Sequence, residues 1–195
     1  ARNVDGSLLV TDRNAHVINS IALDGTVSKL LGRTYNCRDE VGSADEVGIC
    51  DPKQVAVDSQ GNVYWGRDRQ IMGYSPSTGQ VSIIFDGNNG DIANVGGITV
   101  LKDEIYYSDR DKETISKLLW NGSSYESVVV AGQSNQQASM WDFNTNQPRG
   151  LLEPNFNQPT WLTADESNNR IVVNYGEPEW NWDQLGRISI VDFNE

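Results

Sequence analysis

GGITVLKDEIYYSDRDKETISKLLWNGSSYESVVVAG, residues 96–132, holds four short runs rich in Ile, Val, Tyr, Thr and Leu: Ile98–Leu101, Glu104–Ser108, Thr114–Leu119 and Tyr125–Ala131. These residue types fit a pleated, half-buried surface. Lys102-Asp103, Arg110–Glu113 and Asn121-Gly122 separate the runs, and Asn-Gly is the strongest two-residue hairpin signal. No helical period competes with the alternation. The stretch therefore predicts one four-stranded antiparallel meander.

The flanking sequence repeats it. In DPKQVAVDSQGNVYWGRDRQIMGYSPSTGQVSIIFDG, residues 51–87, Val55–Val57, Val63–Trp65, Ile71–Tyr74 and Val81–Phe85 take the places of the four strands. The Ser59-Gln60-Gly61-Asn62 turn separates the first two, with Gly supplying positive φ. Upstream, Leu8–Val10, His16–Ala22 and Val27–Leu31 supply a second, third and fourth strand, with Asp24-Gly25 as the hairpin before the last. Downstream, Trp161–Ala164, Ile171–Asn174 and Arg187–Val191 supply a first, second and third. A meander repeated in this way is the signature of a β-propeller, in which each sheet buries its faces against its neighbours.

The predicted fold is thus all-β: a propeller of four-stranded antiparallel blades, about three and a half of them in this chain. Residues 1–195 read as a single propeller domain or fragment, with copies at about 4–32, 51–87, 96–132 and 158–195 and insertions at 33–50 and 133–157. A first strand is missing from the first copy and a fourth from the last. The expectation is a piece of a longer propeller, or a chain completed by another, with homo-assembly through the incomplete end blades.

Hydrophobic residues make up 37% of the chain and charged ones 22%, enough apolar content for a core and unlike a disordered profile. A net charge of −12 repels nucleic acid and anionic membrane surfaces, so neither is expected as a partner. No apolar run is long enough for a membrane span.

Cys37 and Cys50 are the only cysteines, and both fall in the first insertion. A disulfide between them is the expectation, with two free thiols in a cytosolic protein as the alternative. Zinc is not expected, because two cysteines with His16 far off in the sequence fall short of four ligands. Asn121-Gly122-Ser123 is a glycosylation acceptor at a predicted hairpin tip, where a glycan has room. Disulfide, acceptor and acidic balance together point to an extracellular, secreted protein.

HVINSIALDGTVSKLLG, residues 16–32, together with PKQVAVDSQGNVY, residues 52–64, resembles NHL repeats. IYYSDRDKETISKLLWNGSSYESVVV, residues 105–130, is similar to the YWTD repeats of low-density-lipoprotein-receptor propellers, with Tyr107-Ser108-Asp109 near that family's Trp-Thr-Asp and Trp120–Ser123 near its Leu-Asp-Gly-Ser. The resemblance implies a propeller, commonly six-bladed in both groups. It does not imply an activity, since propellers host binding, enzymatic and scaffolding roles alike.

Catalysis finds little support. His16 is the only histidine, so a Ser/His/Asp site has one candidate base, and the zinc chemistry of the NHL-like amidating lyases lacks its several His ligands. A calcium-dependent lactonase of the gluconolactonase-like kind is the enzymatic alternative, with Asp58, Asp109, Asn174 and Asp165 at strand ends as its ligands. Turn-making accounts for these residues more simply. In the second insertion Asp142, Asn144, Asn146 and Glu153 stand in the ligand order of an EF-hand loop, but Gln147 occupies the place that needs Gly and Pro148 follows it. Calcium is the single cofactor this pattern admits; otherwise none is expected. Trp141 and Phe143 in that insertion, and Trp180 and Trp182 in GEPEWNWDQL (176–185), are aromatic rings in polar loops; they either mark contacts with a protein or glycan partner or fold back to cover a blade edge, the second suiting Trp141. The resulting expectation is a non-enzymatic extracellular interaction or self-assembling module.

Overall fold

The computed structural model describes residues 1–38, 40–132, 141–142, 147–148, 156, 158–175 and 187–194. Alternating apolar side chains and short turns produce a series of antiparallel sheets in chain order. The first contains β1 (Leu8–Asp12), β2 (Val17–Ile21) and β3 (Val27–Leu31), in the order β1-β2-β3. Asp24 accepts from Thr26 N at 2.9 Å to close the turn before β3. The first strand expected to be missing is represented by a remnant: Arg2 bridges antiparallel to Leu8, and Leu9 N donates to Ala1 O at 2.8 Å.

The second sheet gains a strand that the repeat pattern did not anticipate. β4 (Gly42–Ser43), inside the first insertion, pairs with the outer edge of a meander of β5 (Val55–Val57), β6 (Val63–Arg67), β7 (Gln70–Ser75) and β8 (Gln80–Asp86), giving the order β4-β8-β7-β6-β5. An outer strand presents unpaired backbone groups, and two residues of insertion cover part of that edge. The third sheet is β9 (Val95–Leu101), β10 (Glu104–Asp109), β11 (Thr114–Trp120) and β12 (Tyr125–Ala131), the meander read from residues 96–132. In the second insertion β13 (Trp141–Asp142) pairs with β14 (Gln147–Pro148), Trp141 opposite Pro148 and Asp142 opposite Gln147. The last sheet is β15 (Pro159–Asp165), β16 (Arg170–Tyr175) and β17 (Arg187–Asp192), with a 3-10 turn at Glu166–Asn168 between its first two strands.

Successive residues of a strand point to opposite faces, and each inner sheet uses both. In the second sheet Val55, Val63, Trp65, Met72 and Val81 pack toward the first sheet, joining Leu9, Ile18 and Leu31. Ala56, Tyr64, Ile71 and Phe85 pack the other way, against Ile98, Ile105, Tyr107 and Leu118 of the third. Leu101, Tyr106 and Ile115 leave the far face of that sheet to meet Leu162, Ile171, Val173 and Val191 of the last. A shift of register between the third and fourth strands recurs at Ile18, Ile71 and Ile115, each fully buried. Such bulges increase the local twist, which suits a radial stack. The fold has a chain of inter-sheet cores rather than one central core.

The two end sheets are apolar on their outward faces as well. Leu8, Val10 and Val27 are exposed on the first, Leu8 and Val27 both lying opposite Ile21. Trp161, Ile188 and Ile190 are exposed on the last, Trp161 at 55% and Ile188 at 70%, with Asn174 between these two in the register.

Cys37 and Cys50, 13 residues apart, are joined by a disulfide. Closing a loop of this length is worth about 3 kcal/mol. Replacing both cysteines by Ser is expected to lower the unfolding free energy by about 2–3 kcal/mol, read from urea midpoints; an unchanged midpoint would show that the buried side chains of the insertion hold it alone. Among the described residues no helix is long and apolar enough to cross a membrane.

Candidate functional site

Inner strands β5, β9 and β15 converge on a trough of about 610 Å3, closed on the fourth side by β1 and Arg2. Its walls are largely aliphatic, from Val55, Ile98 and Val100. Each inner strand has one edge free of a sheet neighbour, and side chains engage part of that edge on β9 and β15. Gln54 Oε1 accepts from Ile98 N at 3.3 Å and Leu162 N at 3.0 Å, while Gln54 Nε2 donates to Leu162 O. One amide thus ties the second, third and last sheets together. Thr99 Oγ1 accepts from Ala164 N at 3.2 Å, and Thr11 Oγ1 donates to Lys53 O at 2.6 Å. Glu166, the carboxylate of the lining, accepts from Lys102 N with both oxygens, at 2.9 and 3.2 Å.

Strand-end carboxylates are engaged in the same manner. Asp58 accepts from Gln60 N, Asn62 N, Asn62 Nδ2 and the Tyr64 hydroxyl, all within 3.0 Å. Burial, with Asp58 beside it, pushes the Tyr64 phenol up. Asp109, 1% exposed, accepts from Ala93 N, Asn94 N, Asp111 N and Lys112 N at 2.7–3.2 Å. Asp165 caps the 3-10 turn through Asn168 and Ser167 and pairs with Arg170 at 2.8 Å, contacts that hold its carboxyl well below the usual range. Asn174 Oδ1 accepts from the Thr160 hydroxyl at 3.3 Å.

A second set of contacts latches the segment entering one sheet to its neighbours. Arg13, in the turn after β1, grips Asp51 with two bonds of 2.6 and 2.7 Å, which hold the Asp51 carboxyl below its usual range. Lys53 Nζ donates to Asn94 Oδ1 at 3.0 Å and Val95 O at 2.8 Å, and burial lowers its ammonium pKa. Arg110 reaches Gln158 at 2.6 Å.

Of the residues marked by the sequence, Asn121 stands exposed at the β11–β12 tip; its Oδ1 accepts from Ser123 N and Ser124 N at 3.0 Å, and its Nδ2 donates to Glu126 at 2.6 Å. Trp141 and Asp142 lie on β13. Phe143, Asn144, Asn146, Glu153, Trp180 and Trp182 lie outside the described residues. The chain places His16 beside the cysteines it was expected to be far from: ligand atoms of His16, Cys37 and Cys50 lie within 4.8 Å of one another, the one such group of three or more His, Cys, Asp or Glu among the described residues.

No family model matches the chain, and no curated protein matches it. Solved structures do. Virginiamycin B lyase from Staphylococcus aureus aligns with all of this chain and 55% of its own, at 13% identity and a TM-score of 0.52. A putative gluconolactonase aligns with 90% of this chain and 56% of its own, at 13% identity and a TM-score of 0.60. These are propeller-type proteins. The fold is a β-propeller. A structure of a nidogen/laminin complex adds a match to 89% of the chain at 16% identity, TM-score 0.51, covering 73% of the matched chain. The propeller spans about half the length of the first two relatives, at 55% and 56%, and at such identities the likeness establishes architecture alone.

Sequence reading missed Gln54 and the meeting of His16 with the cystine. Gln54 stands 108 residues from Leu162, and no local pattern announces such a contact. A signal for the second was available in part: His16 ends the β1–β2 turn of the propeller, next to the point where the first insertion leaves and returns.

Proposed function

We propose that this propeller is a non-enzymatic extracellular module that binds a protein or glycan partner or assembles with copies of itself. The observation that carries the reading is the occupation of the strand-end carboxylates. Asp58, Asp109 and Asp165 spend their lone pairs on turn N–H groups and nearby side chains, so the oxygens a lactonase of the gluconolactonase-like kind would turn toward a cation are already in use. The disulfide and the exposed Asn121-Gly122-Ser123 tip support an extracellular setting, with Asn121 as the glycan carrier. For the contact itself, the outward faces around Trp161 and Ile188 and around Leu8 and Val27 supply apolar area. Trp141, Phe143, Trp180 and Trp182 are assigned to the same role from their polar loops.

Two measurements test the reading. Light scattering on the purified chain, with Trp161→Asp and Ile188→Asp variants alongside, is expected to show association that both variants weaken. Thermal melts with and without a calcium chelator are expected to coincide. A chelator-dependent melting temperature would favour the hydrolase, and would move attention to Asp142, Asn144, Asn146 and Glu153.

A further inference from the structure

We infer that His16, Cys37 and Cys50 form a soft-metal site that opens when the Cys37–Cys50 disulfide is reduced, taking a divalent ion such as zinc. Their ligand atoms lie within 4.8 Å of one another, and two thiolates with one imidazole, plus a water, make a recognised tetrahedral zinc set. Asp51 N donates to His16 Nδ1 at 3.2 Å, a bond that orients the imidazole and occupies the Nδ1 lone pair, so a metal on that nitrogen would have to displace it. His16 is held there in a left-handed backbone conformation, φ 59, uncommon for a residue with a side chain.

The ligands are positioned by contacts that do not depend on the S–S bond. Val47 and Ile49 are buried in the core between the first two sheets. Tyr35 N donates to Ala15 O at 2.8 Å, Gly48 N to Glu40 Oε2 at 2.8 Å, and Asp51 is gripped by Arg13. Cys50 follows Ile49 directly and Cys37 lies two residues beyond Tyr35, so both sulfurs are tethered beside the imidazole after the bond is gone. Cys37 is exposed, which gives a reductant access.

The chemistry balances. A dithiol reductant gives two electrons to the cystine; the S–S bond breaks, each sulfur takes a proton, and the reductant closes to its own disulfide. On metal binding both thiols release their protons to solvent, two sulfur–metal bonds form, and the ion keeps its charge.

Cobalt(II) is the probe. The chain is reduced with a phosphine, desalted without air and titrated with cobalt. One equivalent is expected to produce the sulfur-to-cobalt charge-transfer band and the visible bands of tetrahedral cobalt, bleached by zinc, while the oxidised chain gives neither. His16→Asn is expected to weaken binding at least about tenfold, and Cys37→Ser to remove most of the charge-transfer intensity. The inference is overturned if the reduced chain keeps its β-sheet circular dichroism yet shows no band, if His16→Asn binds as tightly as the parent, or if reduction itself unfolds the propeller. This site is independent of the proposed binding role: coincident melts of the oxidised chain with and without chelator leave it intact.

Discussion

Asp109→Ala is expected to lower the unfolding free energy by about 3–5 kcal/mol. The carboxylate is buried at the end of β10 and receives four backbone N–H groups, two from the connection that enters β9 and two from its own turn. Alanine leaves all four without this acceptor, at a position where Asp109 is buried, Ala93, Asn94 and Lys112 are half-buried and Asp111 is exposed. An unsatisfied buried donor costs about 1–3 kcal/mol, and relaxation recovers part of the sum. Asp109→Asn keeps one acceptor oxygen, so about half the loss is expected of it. Urea unfolding followed through the fluorescence of buried Trp65 checks both. A loss under about 1 kcal/mol for alanine would mean that water replaces the carboxylate, and that Asp109 is not the keystone of its turn.

Gly97→Ala is expected to cost about 3 kcal/mol, the upper end for overpacking. A Cβ at Gly97 would stand 2.6 Å from both Thr160 O and Gln54 Oε1 and 3.0 Å from Trp161 Cα. At neighbouring Gly96 it would fall on Pro159 O, with Arg110 Cγ at 2.7 Å. The glycines let β15 approach the face of β9 closely enough for Gln54 to bridge the second, third and last sheets. Thr160 O is main chain of β15, at the bulge between the Pro159 and Trp161 pairings, so it can move only if the strand backbone shifts. A double-mutant cycle discriminates the two obstacles. Gln54→Ala removes one of them but leaves the carbonyl, so Gly97→Ala should remain strongly destabilising in the Gln54→Ala background. Rescue there by more than about 1 kcal/mol would place the whole conflict on the glutamine.

The third sheet was legible almost strand for strand. Its runs match β9 to β12, β9 extending upstream to Val95, while the connection expected as a two-residue Asn121-Gly122 hairpin is a four-residue loop, Asn121–Ser124, closed by the Trp120–Tyr125 pair. Period-two alternation and turn residues act over a few neighbours, so they can be read from neighbours. The first sheet was nearly as clear, its inner remnant at Arg2 excepted. Hidden from that reading was β4, because Gly42 and Ser43 have no strand character and pair only where the edge of β8 happens to pass. The candidate site was legible only in its parts. Asp58 and Asp165 announced themselves as turn-makers, whereas Gln54 looked like any polar residue before a strand.

The amino-acid order by itself determined the repeated meander, the strands and most of the turns of this propeller, and the acidic balance that disfavours polyanions. Each of these is a local or additive property of the side chains. Only the tertiary structure decided that His16 meets Cys37 and Cys50, that Gln54 reaches Leu162, and that Gly97 lies against Thr160 O. Those meetings depend on how far one sheet turns relative to the next and on where a closed loop lands, quantities set by packing across the inter-sheet cores and not by any short stretch of chain.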